Sequence, residues 1–388
     1  MNNWKKCKLG DIAEVVGGGT PSTKVDEYWN GDIAWITPKD LTSYNKVFIS
    51  KGARSITKLG LSQSSAKLMP KGTVLLTSRA PIGYIAIAEN EISTNQGFKS
   101  LIPKENLTTS KFLYYWLKNN VEYLKNLSVG TTFAEISGQI VKEVEILLPP
   151  LEEQRQIATI LSSIDDKIEL LHEQNKTLEE LAQTFFVNWF KDREFDSTIG
   201  DFISIQNGFA FKSKDFIDCG DNGVIKIKNI SNGIVDIVNT DKVESSVIDD
   251  IDLKFKINSG DILLGMTGNM GKIGIVPPNV CNVWLNQRVG IIKEKYRNAR
   301  FIAYLQLIST FGKAYLDNIA CGSVQENISA TDIENCPFVK LTSEEIMSYS
   351  KQLNDFFEKI IFNLGEIQTL ENMRDILIPK LLNGERKE

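Results

Sequence analysis

The sequence repeats itself at a period of about 190 residues, and this repeat limits the possible fold more than any other feature. The segment LGDIAEVVGGGTPS from Leu9 returns as IGDFISIQNGFAFKS from Ile199, and KGTVLLTSRAPIGYIAIAEN from Lys71 returns as SGDILLGMTGNMGKIGIVPPN from Ser259. The segment PPLEEQRQIATILSSIDDKI aligns with LTSEEIMSYSKQLNDFFEKI at an offset of 192. Six such segments keep their order, which indicates that each half of the chain is one globular domain followed by one long helix.

The globular parts carry both strand and helix patterns. Short apolar runs such as TVLLTS and YIAIA are bounded by Gly, Pro and Asn, which is typical of strands with tight connections. The run KFLYYWLKNNVEYLK has helical spacing instead. We therefore expect an α+β fold with mixed domains at 1–150 and 197–342 and spacer helices at 151–196 and 343–388.

Each long helix carries an apolar seam at heptad spacing. In the first helix, one core position of the heptad holds Leu161, Ile168, Ala182 and Trp189, and the other holds Ile164, Leu171, Leu178 and Phe185. In the second helix, the first of these positions holds Leu353, Ile360, Ile367 and Leu381, and the other holds Phe356, Leu370 and Leu377. Two helices that each have one such seam are expected to bury the seams against each other as an antiparallel coiled coil. At 1.5 Å rise per residue each helix is roughly 60 Å long, which predicts a rod with the two domains at opposite ends, related by a pseudo-two-fold axis.

Three polar residues interrupt the seams, namely Asn175, Asn363 and Arg374. A buried Asn at such a position fixes the register of a coiled coil and costs stability, whereas an Asn at a helix bend is solvated. Both interpretations of Asn175 remain open at this stage.

The charge is unevenly distributed. The chain as a whole carries a net charge of −5 at pH 7, which argues against a nucleic-acid binder. Basic residues (Lys and Arg) number 18 against 13 acidic ones (Asp and Glu) in residues 1–150, and 5 against 11 in 151–196. The corresponding numbers are 15 against 16 in 197–342 and 6 against 9 in 343–388. The acidity therefore belongs to the helices, and the first domain is basic enough to contact DNA.

The sequence lacks the usual signals of an enzyme, a metal site or a targeted protein. The five cysteines are scattered, and His172 is the one histidine available to complete a metal site. The Gly-rich run GMTGNMGKIG from Gly265 lacks the first glycine and the Ser or Thr of a phosphate loop. No signal peptide or membrane span is apparent. We therefore expect a reduced, cytoplasmic protein with no catalytic residue and no metal.

The motifs GDIAEVVGGGTPS, YWNGDIAWITPKDL, SRAPIGYIAIAE, STNQGFKSL and above all LLPPLEEQRQIATILSSIDDKIELL resemble the DNA-specificity (S) subunit of type I restriction–modification systems. The resemblance covers nearly the whole chain. It implies a non-catalytic protein in which each globular domain is a target recognition domain for one half of a bipartite, asymmetric double-stranded DNA site. The helices then act as a spacer that holds methyltransferase (M) subunits, two in number, and restriction (R) subunits join through the complex. S-adenosylmethionine, ATP and Mg²⁺ would be needed only by those partner subunits. The second copy departs from the PPLEEQ motif, so its contacts with partners are expected to differ.

Loop donors and acceptors that differ between the two copies are the candidates for DNA contact, because the two domains are expected to read different bases. In the first domain they are Thr20, Ser22, Lys24, Thr37, Lys39, Ser78 and Arg79. In the second they are Lys212, Lys228, Asn229, Thr267, Asn269, Lys272 and Arg288. Arg79 and Arg288 are the expected guanine readers, since a guanidinium can bond two acceptors on one base edge. The lysines at 24, 39, 212 and 228 suit phosphate.

Aromatic residues near these loops are expected mainly in the core. Trp4, Tyr28, Trp29 and Trp35 are assigned to packing, and so is at least one of Phe209 and Phe211, although these two could wedge between bases. Two other functions stay open: a tether with two protein-binding or glycan-binding domains on a coiled-coil rod, and a hydrolase or transferase with an unrecognised site.

Overall fold

The computed structural model describes residues 3–42, 44–128, 134–267, 272–321 and 328–383, with the backbone alone at 320 and 321. The chain divides into two compact units, Met1–Glu169 with Leu370–Glu388, and Leu170–Thr369. We call them unit 1 and unit 2. Two helices of 40 residues, Leu151–Phe190 and Ser343–Leu382, contribute to both units, so the units cut across the four segments expected from the sequence.

Unit 1 is built on a five-stranded and a three-stranded sheet. Its strands are β1 (Lys5–Lys8), β2 (Ala13–Gly17), β3 (Trp29–Ile36), β4 (Phe48–Ile49), β5 (Arg54–Ile56), β6 (Val74–Ser78), β7 (Ile82–Ala88), β8 (Ile92–Thr94), β9 (Lys99–Pro103) and β10 (Glu145–Leu148). The helices that begin in unit 1 are α1 (Leu9–Ile12), α2 (Lys58–Ser62), α3 (Ser110–Asn119), α4 (Val121–Asn126), α5 (Gly138–Glu143) and α6 (Leu151–Phe190). The strand orders are β2-β9-β6-β7-β4 and β5-β3-β8, and β1 pairs with β10.

Unit 2 repeats this plan. Its strands are β11 (Ser197–Thr198), β12 (Ile203–Asn207), β13 (Phe216–Ile217), β14 (Asn222–Ile225), β15 (Ile230–Ser231), β16 (Gly233–Val235), β17 (Asp241–Val243), β18 (Ile262–Gly265), β19 (Ile273–Ile275), β20 (Val283–Leu285), β21 (Val289–Glu294) and β22 (Pro337–Phe338). The helices that begin in unit 2 are α7 (Ser245–Ile248), α8 (Arg300–Ile308), α9 (Thr310–Cys321), α10 (Ala330–Glu334) and α11 (Ser343–Leu382). The strand orders are β12-β21-β18-β19-β16-β15 and β13-β17-β14-β20, and β11 pairs with β22.

The two units share their unusual pairings as well as their strand order. In unit 1 β4 pairs in parallel with β7 and β3 pairs in parallel with β8, while β6 and β7 are antiparallel. In unit 2 the corresponding pairs β16–β19 and β14–β20 are parallel, and β18–β19 is antiparallel. The predicted internal repeat and the α+β class are confirmed by this common topology.

Each unit buries its sheets in layers. In unit 1 alternate residues of β6 point to opposite sides, so that Val74 and Leu76 pack towards α3 and the long helices while Leu75 packs against the three-stranded sheet. On the far side of the small sheet, Trp29, Trp35 and Ile56 form a separate cluster. The same three layers recur in unit 2, where Phe211, Val224 and Trp284 belong to the outermost cluster.

The long helices begin at residues that suit helix starts. The helix α6 follows Pro149 and Pro150, and acidic residues occupy its first turn, where they face the positive end of the helix dipole. Before α11, the backbone N–H of Thr342 donates to the Glu345 carboxylate at 2.8 Å, and the Glu345 N–H donates to the Thr342 hydroxyl at 3.2 Å. This reciprocal capping box explains how the second copy begins its helix without the Pro-Pro sequence.

Within each unit, the two long helices run antiparallel. In unit 1 Ile157 and Leu161 near the start of α6 share a core with Ile378 and Leu382 near the end of α11. In unit 2 the Phe185 ring near the end of α6 lies 5.8 Å from the Phe356 ring near the start of α11. The predicted antiparallel pairing is therefore confirmed.

Burial along the two long helices follows the predicted heptad only in part. Leu161, Ile164, Ile168, Leu171, Ile360 and Ile367 are buried, and Leu178, Phe356, Leu370 and Leu377 are half-buried. Phe185 is 44% exposed, whereas the next residue, Phe186, is buried, and Phe357 and Ile378 are likewise more buried than Phe356 and Leu377. Phe185 and Phe356 nevertheless meet across the helix pair, with their rings 5.8 Å apart. The deeper burial of the following residues comes from the globular part, since Phe186 stacks on Phe338 and Phe357 stacks on Phe301.

The polar residues that interrupt the seams find partners across the helix pair. In unit 2 the buried Asn363 side-chain amide donates to Asn175 Oδ1 and to Gln174 Oε1, each at 2.8 Å. In unit 1 Arg374 Nη1 lies 2.9 Å from Asp165 Oδ1, and the Tyr115 hydroxyl donates to Asp165 Oδ2 at 2.6 Å. Of the two interpretations of Asn175, the structure supports the paired, register-fixing one.

Among the residues described, no helix is long and apolar enough to cross a membrane.

Candidate nucleic-acid interface

The candidate loops of the first domain meet at one edge of the three-stranded sheet. The Asn95 N–H donates to Ile36 O at 2.9 Å, which places the end of β8 beside the end of β3. The Gly19 N–H donates to Thr94 O at 2.9 Å, which adds the loop after β2. A Cβ on Gly18 would lie 2.0 Å from Asn95 O, so only glycine permits this approach of the two chains.

The same junction is built in the second domain. The Phe209 N–H donates to Leu285 O at 2.8 Å, and the Asn286 N–H donates to Ile225 O at 3.2 Å. Gly208 takes the place of Gly18, and a Cβ there would lie 2.3 Å from Leu285 O. The residues shared at this edge therefore maintain the backbone arrangement, and only the side chains that differ can bind different ligands in the two domains.

Two tryptophans hold the first candidate loop in place. The indole N–H of Trp35 donates to Gly19 O at 3.0 Å, and that of Trp29 donates to Ser22 O at 3.1 Å. Thr20, which lies between the two anchored residues, and Ser22 both have exposed side chains. The Thr20 hydroxyl donates a hydrogen bond to the Gln96 side chain. Lys24 is exposed as well. Trp29 and Trp35 are therefore core residues, as predicted, and they also position the loop.

Thr37 and Lys39 lie at the end of β3 in a short turn organised by Asp40. The Asp40 carboxylate accepts hydrogen bonds from the Thr37 backbone at 2.7 Å and from its hydroxyl at 2.6 Å. It also accepts one from the Ala53 backbone at 2.8 Å. The Thr37 hydroxyl is thus engaged in the turn, whereas Lys39 is exposed.

Two of the residues predicted to contact DNA, Ser78 and Asn229, have buried side chains. Ser78 is fully buried and donates its hydroxyl to Gly97 O at 3.2 Å. Asn229 is 4% exposed, accepts from the Lys226 backbone at 3.0 Å and donates to Asn239 O at 2.8 Å. Asn229 thus does in unit 2 what Asp40 does in unit 1: it ties the strand end to the next turn. A short polar side chain can form hydrogen bonds with nearby backbone groups instead of facing solvent.

The arginine and lysine candidates differ in their surroundings. Arg79 is half-exposed, and its Nη1 lies 3.5 Å from Glu135 Oε2. The other carboxylate oxygen, Glu135 Oε1, pairs with Lys99 Nζ at 3.3 Å. Lys228 is exposed and pairs with Asp241. Arg288 and Lys212 are exposed, and Thr267 and Lys272 are half-buried. Asn269 lies outside the described residues.

The phenylalanines of the second loop are packed. Phe211 is buried, Phe209 packs partly buried against the same outer cluster, and their rings lie 5.1 Å apart. This outcome agrees with the expectation that at least one of them belongs to the core.

Sequence reasoning missed Arg54, the first residue of β5. Its guanidinium carbon lies 3.5 Å from the centre of the Trp29 ring, and the side chain is exposed. The local sequence SKGARSI carries no motif for this contact. The contact between Arg54 and Trp29 follows from the pairing of β5 with β3, and this pairing is seen only in the folded chain.

The long helices carry a second candidate surface. Six exposed apolar residues each come directly before a position of the predicted seams: Ile160, Met373 and Ile376 in unit 1, and Leu170, Leu181 and Phe362 in unit 2. By contrast, residues directly after a seam position, such as Ser162, Asp165 and Phe357, are buried. One flank of each helix thus packs against the globular part while the other stays open. Leu170 and Phe362 are related by the 192-residue repeat, as are Leu181 and Met373.

In the described ranges, no group of three or more His, Cys, Asp or Glu side chains is placed to hold a metal ion.

The chain matches the family model for the type I restriction modification DNA specificity domain twice, over residues 1–180 and 193–371. It is 36% identical to the type I restriction enzyme MjaIX specificity subunit of Methanocaldococcus jannaschii, over 99% of this chain and 93% of that one. It is 24% identical to the HindI specificity subunit of Haemophilus influenzae, over 99% of this chain and 100% of the other.

The fold is similar to the crystal structure of a type I restriction–modification S subunit from M. genitalium. The TM-score is 0.56 at 18% identity, over 98% of this chain and 96% of that one. Together with the two family matches and the repeated topology, these relationships place the chain in the family of type I restriction–modification specificity subunits.

Proposed function

We propose that this chain selects the DNA sequence on which a type I restriction–modification complex acts, with each globular domain reading one half of a bipartite, asymmetric site. The observation that carries the proposal is the repeated edge. One hydrogen-bonded scaffold occurs twice, and it presents different side chains in the two domains. A protein that reads two unlike half-sites requires this combination.

The edge of the first domain suits DNA chemically. It gathers exposed hydroxyl and amide groups from Thr20, Ser22 and Gln96 with the cations of Lys39 and Arg54. Hydroxyl and amide groups can bond to base edges, and cations attract phosphate. In the second domain, Lys212, Lys228 and Arg288 supply exposed cations.

The open flanks of the long helices suit methyltransferase subunits. Exposed apolar residues at positions related by the repeat, such as Leu170 and Phe362, give the chain two similar docking sites. Exposed apolar groups of this kind mark protein interfaces. We therefore propose two M subunits, one at each site, with R subunits joining through the assembled complex.

The chemistry belongs to these partners in our proposal. S-adenosylmethionine, ATP and Mg²⁺ act in the M and R subunits, and the present chain is the non-catalytic component in the cytoplasm. Its net charge of −5 predicts weak DNA binding when it is alone, and stronger binding when the M subunits add their own surfaces.

Fluorescence-polarisation titration tests the proposal with a labelled duplex that carries the methylated site of the host genome. The chain with its M subunits should bind this duplex at least a hundredfold more tightly than a scrambled duplex, in keeping with the selectivity of specific DNA binders. Weak binding to both duplexes, with the M subunits present, would refute the DNA function and favour a tether.

Docking is tested separately with Phe362→Asp, which places a charge on the open flank of α11. Leu253→Asp is the matched control, because Leu253 is 74% exposed in the second domain and is not part of the two long helices. Mass photometry of the assembly should show loss of one of the two M subunits with Phe362→Asp and a full complex with the control. Full assembly with both variants would place the M subunits elsewhere.

A further inference from the structure

The strand next to the recognition edge carries opposite charges in the two domains. In unit 1 the register pairs Arg54 on β5 with Trp35 on β3. In unit 2 it pairs Asp241 on β17 with Val224 on β14. Trp35 and Val224 are equivalent, because each lies opposite the middle residue of the parallel neighbour, Ser93 in β8 or Trp284 in β20. Arg54 and Asp241 therefore occupy the same place in the two domains.

Arg54 is held as a rigid, open cation. Its guanidinium carbon lies 3.5 Å from the centre of the Trp29 ring and 6.0 Å from that of Trp35, and the two rings meet edge to face at 5.0 Å. Stacking on an aromatic face fixes the plane of a guanidinium and leaves its N–H groups free to bond. Among the described residues Arg54 forms no ion pair, in contrast to Arg79, which faces Glu135.

Asp241 creates a different surface in unit 2. It pairs with Lys226 Nζ at 2.6 Å and with Lys228, and Lys226 Nζ lies 3.7 Å from the centre of the Phe216 ring. Hydrogen bonds from Lys226 and Lys228 lower the pKa of the Asp241 carboxyl. One position of a common scaffold thus offers a free guanidinium fork in the first domain and a carboxylate paired with two lysines in the second.

We propose that this strand position determines sequence specificity, and that Arg54 reads a guanine in the half-site of the first domain. The fork of a stacked guanidinium matches the O6 and N7 acceptors that guanine presents in the major groove. The Trp29 and Trp35 platform also holds the loop of Thr20 and Ser22, so Arg54 and that loop reach the same stretch of DNA. This inference rests on the DNA function proposed above.

The test compares Arg54→Lys, Arg54→Gln and the wild-type chain, each assembled with M subunits, by sequencing the methylated bases of a genomic library. Both variants should lose about tenfold to hundredfold of the discrimination at one guanine of one half-site, in line with the value of a bidentate base contact. The other half-site should stay unchanged. Lys51→Gln, which removes an exposed charge three residues away, is the control and should leave the recognised sequence intact.

Two outcomes would overturn the inference. If both variants methylate every site less but recognise the same sequence, Arg54 contacts phosphate and not a base. If both variants recognise the same sequence at full activity, Arg54 is not part of the DNA interface. Failure of the DNA function itself looks different, since the wild-type complex would then show no sequence preference. Arg54→Lys keeps the positive charge, and thermal unfolding of each variant separates a loss of recognition from a loss of folding.

Discussion

The buried ion pair between α6 and α11 in unit 1 gives the sharpest prediction about stability. The Arg374 side chain is 14% exposed and that of Asp165 is 8% exposed, with Nη1 2.9 Å from Oδ1. The Tyr115 hydroxyl occupies the other carboxylate oxygen at 2.6 Å. Replacing Arg374 by Ala leaves a carboxylate inside the helix pair with Tyr115 as its remaining strong donor.

Removal of one partner from a buried pair costs about 3–5 kcal/mol. We expect about 3 kcal/mol for Arg374→Ala, because Tyr115 still donates to the carboxylate. This free energy corresponds to roughly a hundredfold increase in the population of the locally open helices. The double variant Asp165→Asn with Arg374→Leu removes both charges and keeps an acceptor for Tyr115. It should recover most of the loss.

Native-state hydrogen exchange measures this effect by segment. Amides in 151–169 and 370–382 should exchange roughly a hundredfold faster in Arg374→Ala, while those of 343–369 serve as an internal control. A change below about 1 kcal/mol would refute the reasoning that a desolvated charge is left behind. So would a double variant that is no more stable than the single one.

Two further predictions concern buried polar groups on α6. The Gln154 side chain accepts a hydrogen bond from the Thr108 hydroxyl and donates to Leu107 O and Pro149 O, all at 2.9 Å. Gln154→Leu should therefore lower the free energy of unfolding, measured in urea, by about 2–3 kcal/mol, and a loss below about 1 kcal/mol would contradict this expectation. Burial raises the pKa of Glu179, which accepts a hydrogen bond from Tyr304 at 3.3 Å. Because the folded state favours the protonated acid, its contribution to stability is complete below about pH 4 and is lost as the pH rises through the folded pKa. Glu179→Gln should flatten this dependence in thermal unfolding of unit 2, and an unchanged pH profile would count against it.

The repeat made the architecture predictable. Segments that return in the same order are expected to build the same fold twice, and the apolar heptads predict two long helices that pair with each other. The structure begins the long helices at Leu151, after Pro149 and Pro150, and at Ser343, after the capping residue Thr342.

The fine placement of side chains was not predictable for a physical reason. A heptad marks the contact between the helices, whereas burial depends also on the globular part, so Phe186 is buried against Phe338 while Phe185 beside it is 44% exposed. The interruption at Arg374 was visible, but its partner Asp165 lies one residue beyond a seam position on the other helix, where no periodicity marks it.

The candidate interface was predictable only in part. Residue type and position single out Thr20, Ser22 and Lys39, and the structure leaves their side chains exposed. Ser78 and Asn229 have equally suitable chemistry, yet their side chains satisfy backbone groups. Arg54 was missed because strand register brings it onto Trp29, and register depends on pairing between distant segments.

Exchange of one domain tests the central claim most directly. Residues 20–145 would be replaced by the corresponding part of a related specificity subunit, and the methylated bases would be sequenced for the complex formed with the M subunits. The account predicts a new sequence in one half of the site, an unchanged sequence in the other half and an unchanged gap between them. Alteration of both halves, or of neither, would contradict the claim that the two domains read their half-sites independently.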